Sequence, residues 1–215
     1  LTVNEMQRHD IKLELDVLSQ KLITEMILAR FPDHAILGEE GGEIGGNGEI
    51  EWIVDPIDGT VNYFFGIPHF CVSIALRENE ELIAGVIYDP MVDELWTFGK
   101  GGPPMLNGRE VACSNHTDLA ESIIVVGFGK DVEAQETGLE RFQRVSPKVR
   151  KMRMMGSAAL GTAYVASGRL DAYIESRISL WDIAAGKMLI EAGGGRVDLT
   201  PYPDEPDVYS MFATN

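Results

Sequence analysis

Trp52-Ile53-Val54-Asp55-Pro56-Ile57-Asp58-Gly59-Thr60 joins a run of strand formers to two carboxylates within one turn. Trp, Ile and Val favour a pleated, half-buried strand, and Pro56 bars regular pairing beyond Asp55. Asp58 follows so closely that both carboxylates can converge on one point. Converging carboxylates repel unless a cation or a proton intervenes. Hard oxygen donors of this kind suit Mg²⁺, which keeps several waters and also takes substrate phosphate. Gly59-Thr60 falls where a short helix can begin, and backbone N–H groups at such a turn bind phosphate oxygens. The same letters also fit an Asp-rich turn with a helix cap, so the pattern needs company.

Three further acids supply it. Glu39 ends a short strand candidate, Ala35-Ile36-Leu37, beside a glycine-rich stretch. Asp182 opens a helix after Trp181, and Asp16 begins the first amphipathic helix. Taken singly, each is a cap or a solvated acid, and Asp182 would suit a helix N-terminus in any case. Only their joint occurrence with the strand-end pair is specific.

Working outward, residues Asp16 to Arg30 read as a helix, with Leu18, Leu22, Ile23, Met26 and Ile27 at helical spacing and Pro32 as its stop. Gly41 to Gly48 lacks the GxxxxGK[ST] pattern of a nucleotide loop and reads as a surface loop. Cys71–Leu76, Leu82–Tyr88 and Glu94–Phe98 form a meander of strands, and Gly99–Gly108 a connection. Beyond it come a strand at Ile123–Val126, a helix at Gln135–Val145, and a helix at Ser157–Ser167 capped by Ser157. A strand at Leu170–Glu175, a helix at Asp182–Ala192 stopped by Gly193, and a final strand at Arg196–Leu199 complete the chain. Met152, Met154 and Met155 read as core filling or an interface patch. Without a strict βαβ rhythm the mixture is α+β, or layered sheets with helices between them.

Composition narrows the function. Among 215 residues, 34 acids against 18 bases give a formal charge of −16, which repels nucleic acid and anionic membranes. Two cysteines, Cys71 and Cys113, have no CxxC spacing and suit a reducing compartment, so a cytoplasmic location is expected unless a targeting segment has been removed. His9, His34, His69 and His116 are scattered and read as structural. No apolar run approaches the ~18 residues of a membrane span.

Gly38-Glu39-Glu40, the Trp52–Asn62 segment and Trp181-Asp182-Ile183-Ala184-Ala185-Gly186 resemble the inositol monophosphatase family, part of the lithium-sensitive, magnesium-dependent phosphatase superfamily. The resemblance extends through Gly66–Leu76, Gly156-Ser157-Ala158-Ala159 and Gly168–Tyr173, and so covers nearly the whole chain from Asp16. It implies a single domain with a layered αβαβα sandwich of the inositol monophosphatase/fructose-1,6-bisphosphatase type. A metal-binding half of about 1–115 and a smaller half of about 116–215 are expected, usually in a homodimer. It implies two to three Mg²⁺ ions: one on Glu39, Asp55 and the Ile57 carbonyl, a second on Asp55, Asp58 and Asp182, and a weaker third near Glu39 through water. Asp16 and Thr60 would activate the attacking water, and the amides of Gly59 and Thr60 would grip the phosphate. Ser157 and Glu175 would line the place of a small phosphate-ester substrate, with Glu175 holding ring hydroxyls. Trp181 resembles the inositol branch more than the histidinol-phosphate branch. Gly161 departs from the family, standing where many relatives carry an Asp or Asn near the substrate. The expected activity is hydrolysis of inositol monophosphate. Histidinol phosphate, a fructose bisphosphate or a nucleotide 3′-phosphate are alternative substrates, and a non-catalytic interaction role is the remaining alternative.

Overall fold

The computed structural model describes residues 2–6, 11–46 and 49–215; His9 and Gly48, both noted above, lie outside the described residues. The chain begins with two short antiparallel strands, β1 (Val3–Met6) and β2 (Ile11–Leu13), and enters α1 (Glu14–Arg30). Then come β3 (Ala35–Gly38), β4 (Gly42–Ile44), β5 (Ile50–Asp58), α2 (Thr60–Phe64), β6 (Cys71–Glu78), β7 (Glu81–Asp89), β8 (Glu94–Gly99), β9 (Met105–Leu106) and β10 (Arg109–Glu110). Strands β3 to β10 form one eight-stranded sheet in the order β10-β9-β8-β7-β6-β5-β3-β4. The second half contributes β11 (Ile123–Val126), α3 (Val132–Val145), β12 (Lys151–Arg153), α4 (Ala158–Ala166), β13 (Ala172–Ser179), α5 (Leu180–Ala192), β14 (Arg196–Pro201) and β15 (Val208–Thr214). Its five strands run β12-β11-β13-β15-β14.

Helices α4 and α5 lie between the two sheets. Helix α5 touches β5 to β8 of one sheet and β13 to β15 of the other, while α1 packs on β5 and α3 on β11 and β13. The result is the expected αβαβα sandwich. A helix covered on all sides must be apolar all round. Accordingly Leu180, Ile183, Ala184, Ala185, Gly186, Met188, Leu189 and Ile190 are all buried. The Ala184-Ala185-Gly186 run has a steric reason. A side chain at Gly186 would collide with Thr162 of α4, and Ala185 sits 3.1 Å from where a Cβ on Gly85 of β7 would lie. One continuous core joins Ile53, Ile87 and Trp96 of the first half to Leu160, Tyr173, Leu189 and Met211 of the second.

Three expectations are corrected. Helix α1 does form, but Leu18, Leu22 and Met26 are 52%, 58% and 68% exposed, while Asp16 and Gln20 are buried. Leu18, Leu22 and Met26 share one helical row, whereas Asp16, Gln20, Ile23 and Ile27 share another, and the latter faces the sheet. The glycine-rich stretch is not wholly loop, because Gly42–Ile44 pairs antiparallel with β3 at the sheet edge. Arg196–Leu199 is not the last strand: β15 follows it and lies between β13 and β14. Pro56 acts as expected, since pairing with β6 is regular to Asp55↔Ser73 and then shifts before Asp58↔Cys71.

Asp171 ties the junction between the halves. Its carboxylate, 4% exposed, accepts from Ser114 Oγ at 2.5 Å and the Ile123 amide at 2.6 Å, and bonds His116 Nδ1 at 2.8 Å. Burial alone would raise its pKa, but these hydrogen bonds outweigh it and hold the group below its ordinary value. A depressed carboxyl contributes stability above its unfolded pKa and loses it as pH falls through the folded one. Asp171→Ala is therefore expected to cost roughly 2–4 kcal/mol at neutral pH. The deficit should shrink below about pH 4, and urea unfolding at several pH values measures both.

Candidate active site

The carboxylates are delivered by different elements. Asp55 and Asp58 come from the end of β5, where the register shift after Asp55 lets both acids turn to one side. Asp182 comes from the first turn of α5, where it accepts from the Ser179 amide at 3.1 Å and caps the helix. One oxygen from each of Asp55, Asp58 and Asp182 lies within 4.8 Å of the others. Glu39, at the end of β3, adds its charge to Asp55 and Asp182. The cap reading and the ligand reading of Asp182 thus hold together.

Each acid is held by hydrogen bonds. Asp55 accepts from the Ile57 amide at 3.0 Å. Asp58 is held from α4, accepting from Ser157 Oγ at 2.5 Å, the Ala159 amide at 2.7 Å and the Ala158 amide at 3.2 Å, with the Cys71 thiol at 3.6 Å. Ser157 also caps α4, accepting from the Leu160 amide at 3.2 Å. Thr60 donates its hydroxyl proton to the Ile57 carbonyl at 2.9 Å, and Asp16 accepts from the Leu13 amide at 2.8 Å. In this structure the Thr60 proton is therefore given to the peptide expected to face a cation.

The electrostatics are those of crowded acid. Burial first, then the charges of Glu39, Asp58 and Asp182, push the Asp55 carboxyl well above its usual range. Burial, then the charges of Glu39 and Asp58, raise Asp182 as well, opposed by Lys130. Burial also raises Asp58, opposed by Ser157, the Ala159 and Ala158 amides and Cys71. Burial likewise lifts the Cys71 thiol, so it stays protonated. Buried hard oxygens at this spacing, disfavoured as anions until a positive charge joins them, fit a divalent cation such as Mg²⁺.

The acids open onto a cleft of about 800 Å³ lined by both sheets, within the size range of small-ligand sites. Glu39, Asp55, Ile57, Asp58, Gly59, Thr60, Ser157, Glu175 and Asp182 all line it. Asp16 is not among the lining residues and is 2% exposed. Met155 lines the cleft and also packs against the core, Met152 packs against a smaller cluster of Ile124, Ala172 and Ile174, and Met154 is exposed at the cleft. Gly161 does not line it: it faces the Tyr173 ring, which would lie 2.8 Å from an added Cβ. Tyr173 in turn donates its hydroxyl to Glu175.

Gln20 and Asn62, which the sequence did not single out, hold the site together with Gly59. Gln20 is buried and clamps the Glu40 peptide at both ends, receiving its N–H at 2.8 Å and donating to its carbonyl, which fixes the turn carrying Glu39. Asn62 donates to the carbonyls of His69 at 2.8 Å and Met155 at 2.9 Å, tying α2 to the loop before α4. Gly59 has φ 96°, a backbone state that favours glycine, and the His69 and Gly156 carbonyls leave little room for a side chain. Only the small, polar character of Gln20 and Asn62 was visible beforehand.

Fold and site together define a layered α+β protein with a carboxylate cluster that fits a divalent cation. The family model of the inositol monophosphatase family matches residues 1–210, and the chain belongs to that family. It is similar to "Nus factor SuhB" of Xylella fastidiosa, 41% identical over 198 residues, covering 92% of this chain and 72% of the relative. It is also similar to "Inositol-1-monophosphatase" of Rhizobium meliloti, 39% identical over 194 residues, covering 88% and 72%. Among solved structures, the extragenic suppressor protein SuhB from Bartonella henselae superposes with TM-score 0.92 at 34% identity, over 100% of this chain and 85% of that one. Among the described residues no helix is long and apolar enough to cross a membrane.

Burial, with repulsion from Asp58, lifts Glu175 to about 7 against the pull of Tyr173 and Lys130. A raised carboxyl pKa contributes stability below its unfolded value and loses it as pH rises through the folded one. Glu175→Gln keeps an acceptor for Tyr173 and removes the titration. It is expected to stabilise the protein at pH 8 by on the order of 2 kcal/mol, with the gain vanishing toward about pH 5. Thermal melts of both proteins across that range measure it.

Proposed function

We propose that this protein is a Mg²⁺-dependent phosphomonoesterase acting on a small phosphorylated metabolite, with inositol monophosphate as the best-matched substrate. The observation that carries the reading is the convergence of Asp55, Asp58 and Asp182 on one point in a cleft that both sheets line. Family membership supports the reaction class. Glu39, Asp55, the Ile57 carbonyl, Asp58 and Asp182 are the groups that would hold two to three ions. Mg²⁺ supplies positive charge that acidifies an attacking water and neutralises the departing oxygen.

The chain's own residues do the rest. Glu39, Asp55 and Asp182 orient the nucleophile toward phosphorus, and Thr60 takes up a proton from it. Thr60 is too weak a base alone, so as its Oγ1 takes that proton its own hydroxyl proton passes to the buried Asp16 carboxylate. That role requires the Thr60 hydroxyl to turn from the Ile57 carbonyl. Amides of Gly59 and Thr60 meet the phosphate oxygens, where charge spreads in a loose transition state. Ser157 fixes Asp58 from the floor. Glu175, whose pKa of about 7 leaves it partly ionised at neutrality, accepts from substrate hydroxyls in its ionised form and so favours a polyol over an apolar alcohol.

A second reading comes from the relatives named Nus factor: an interaction role on the same fold, with or without turnover. Phosphate release separates the two. A panel of inositol monophosphate, histidinol phosphate, fructose 1,6-bisphosphate and adenosine 3′,5′-bisphosphate is expected to give Mg²⁺-dependent release led by inositol monophosphate. Release led by another compound would keep the metal site and move the substrate. A folded, Mg²⁺-bound protein that releases phosphate from none of them would leave the interaction role.

Two substitutions test the assignments. Asp55→Asn should lower kcat by about three orders of magnitude or more, ~4 kcal/mol of barrier, with the circular dichroism spectrum unchanged; turnover near the parent's would sink the cluster as the metal site. Thr60→Ala should lower kcat while Mg²⁺ affinity, read by calorimetry, stays within about threefold of the parent's. A matching collapse of affinity would make Thr60 structural.

A further inference from the structure

Two basic side chains, Lys130 and Arg177, line the cleft, and they are held differently. Arg177 is locked between two carboxylates, with Nε 2.8 Å from Asp131 Oδ2 and a terminal nitrogen 2.6 Å from Glu205 Oε2, and it lies over the Tyr202 ring. Lys130 reaches from the second half across the cleft, where its ammonium stands 3.8 Å from Glu39 Oε1. Its backbone is firmly placed. Asp131 next to it caps α3 through the Ala134 amide at 2.9 Å, and Gly129 before it lies close against the Ser176 carbonyl. The side chain itself is 64% exposed and can move. Its charge reaches beyond Glu39, favouring the ionised forms of Asp182 and Glu175 as well.

We propose that Lys130 is a built-in counter-ion for the carboxylate cluster, occupying the cation's side of Glu39 in the metal-free protein and giving way when a divalent ion binds. The inference rests on the reading of Glu39, Asp55, Asp58 and Asp182 as a divalent-cation site. The geometry makes the two cations alternatives. A carboxylate that takes a hard cation at coordination distance cannot also keep a nearby ammonium without charge repulsion. The 3.8 Å contact with Glu39 is long for an ion pair and is made by an exposed side chain, so it can be yielded to a divalent ion. Lys130 therefore stabilises the empty cluster and lowers its affinity for Mg²⁺. It also sets a threshold, since the ion must be abundant enough to displace a tethered competitor.

The test is calorimetric titration of Mg²⁺ into the full chain after chelator treatment, for the parent, Lys130→Met and Lys130→Arg. Lys130→Met, of similar length without charge, should bind Mg²⁺ roughly three- to tenfold more tightly, and Lys130→Arg should stay near the parent. The metal-free Met variant should also melt below the parent, with the gap closing at saturating Mg²⁺. High KCl should narrow the affinity difference, because the competition is ionic. Lys130→Gln serves as a second neutral variant should the Met form fail to fold. Unchanged or weaker Mg²⁺ binding in the neutral variants, with the parent binding normally, would overturn the counter-ion role alone. A folded parent that binds no Mg²⁺ would overturn the metal site with it.

Discussion

Buried like charge is the constraint around which the molecule is arranged. Asp55, Asp58 and Asp182 are pressed together in a region that desolvates them, and Glu39 adds to the repulsion. Left to themselves such groups would separate or take up protons. They stay because each is fastened to rigid backbone: Asp55 to the peptide of Ile57, Asp58 to the first turn of α4, and Asp182 to the first turn of α5. Two of the three are thus held by helix amides. The hydrogen bonds that complete a helix end also hold an unfavourable charge in position.

That arrangement requires α4 and α5 to run side by side in a narrow layer. Gly186 lets α5 approach Thr162, Gly85 lets it lie on β7, and Gly161 admits the Tyr173 ring against α4. These small residues look remote from the chemistry. Yet a wider spacing would move Asp182 of α5 away from Asp58 of β5. The packing of the middle layer and the geometry of the cleft are one problem.

The strand-end pair and Asp182 were legible in the sequence because their neighbours announce element ends: Pro56 and Gly59 after the strand, Gly193 at the stop of the helix that Asp182 opens. Ser157 was legible for the same reason. Of the five apolar residues read at helical spacing in α1, only Ile23 and Ile27 lie on the row that faces the sheet, and Leu18, Leu22 and Met26 are exposed. The helix carries apolar residues on two faces, and helical spacing alone cannot choose between them when the true inner face includes Asp16 and Gln20. Gln20, Asn62 and Lys130 were invisible because their partners, Glu40, Met155 and Glu39, come together only through tertiary structure. Strand β15 has partners on both sides, β13 and β14, and its place between them follows from folding, not from any local signal.

The fastening of Asp58 to α4 has a consequence for biosynthesis. A chain leaves the ribosome from its N-terminus, so Asp55 and Asp58 emerge long before the Ala158 and Ala159 amides that will hold Asp58, and Asp182 later still. Through most of translation the first acids remain hydrated and far from their companions. The cluster closes only when α5 settles between the two sheets. A cation bound by all three acids would therefore be captured only after α5 is in place between the two sheets.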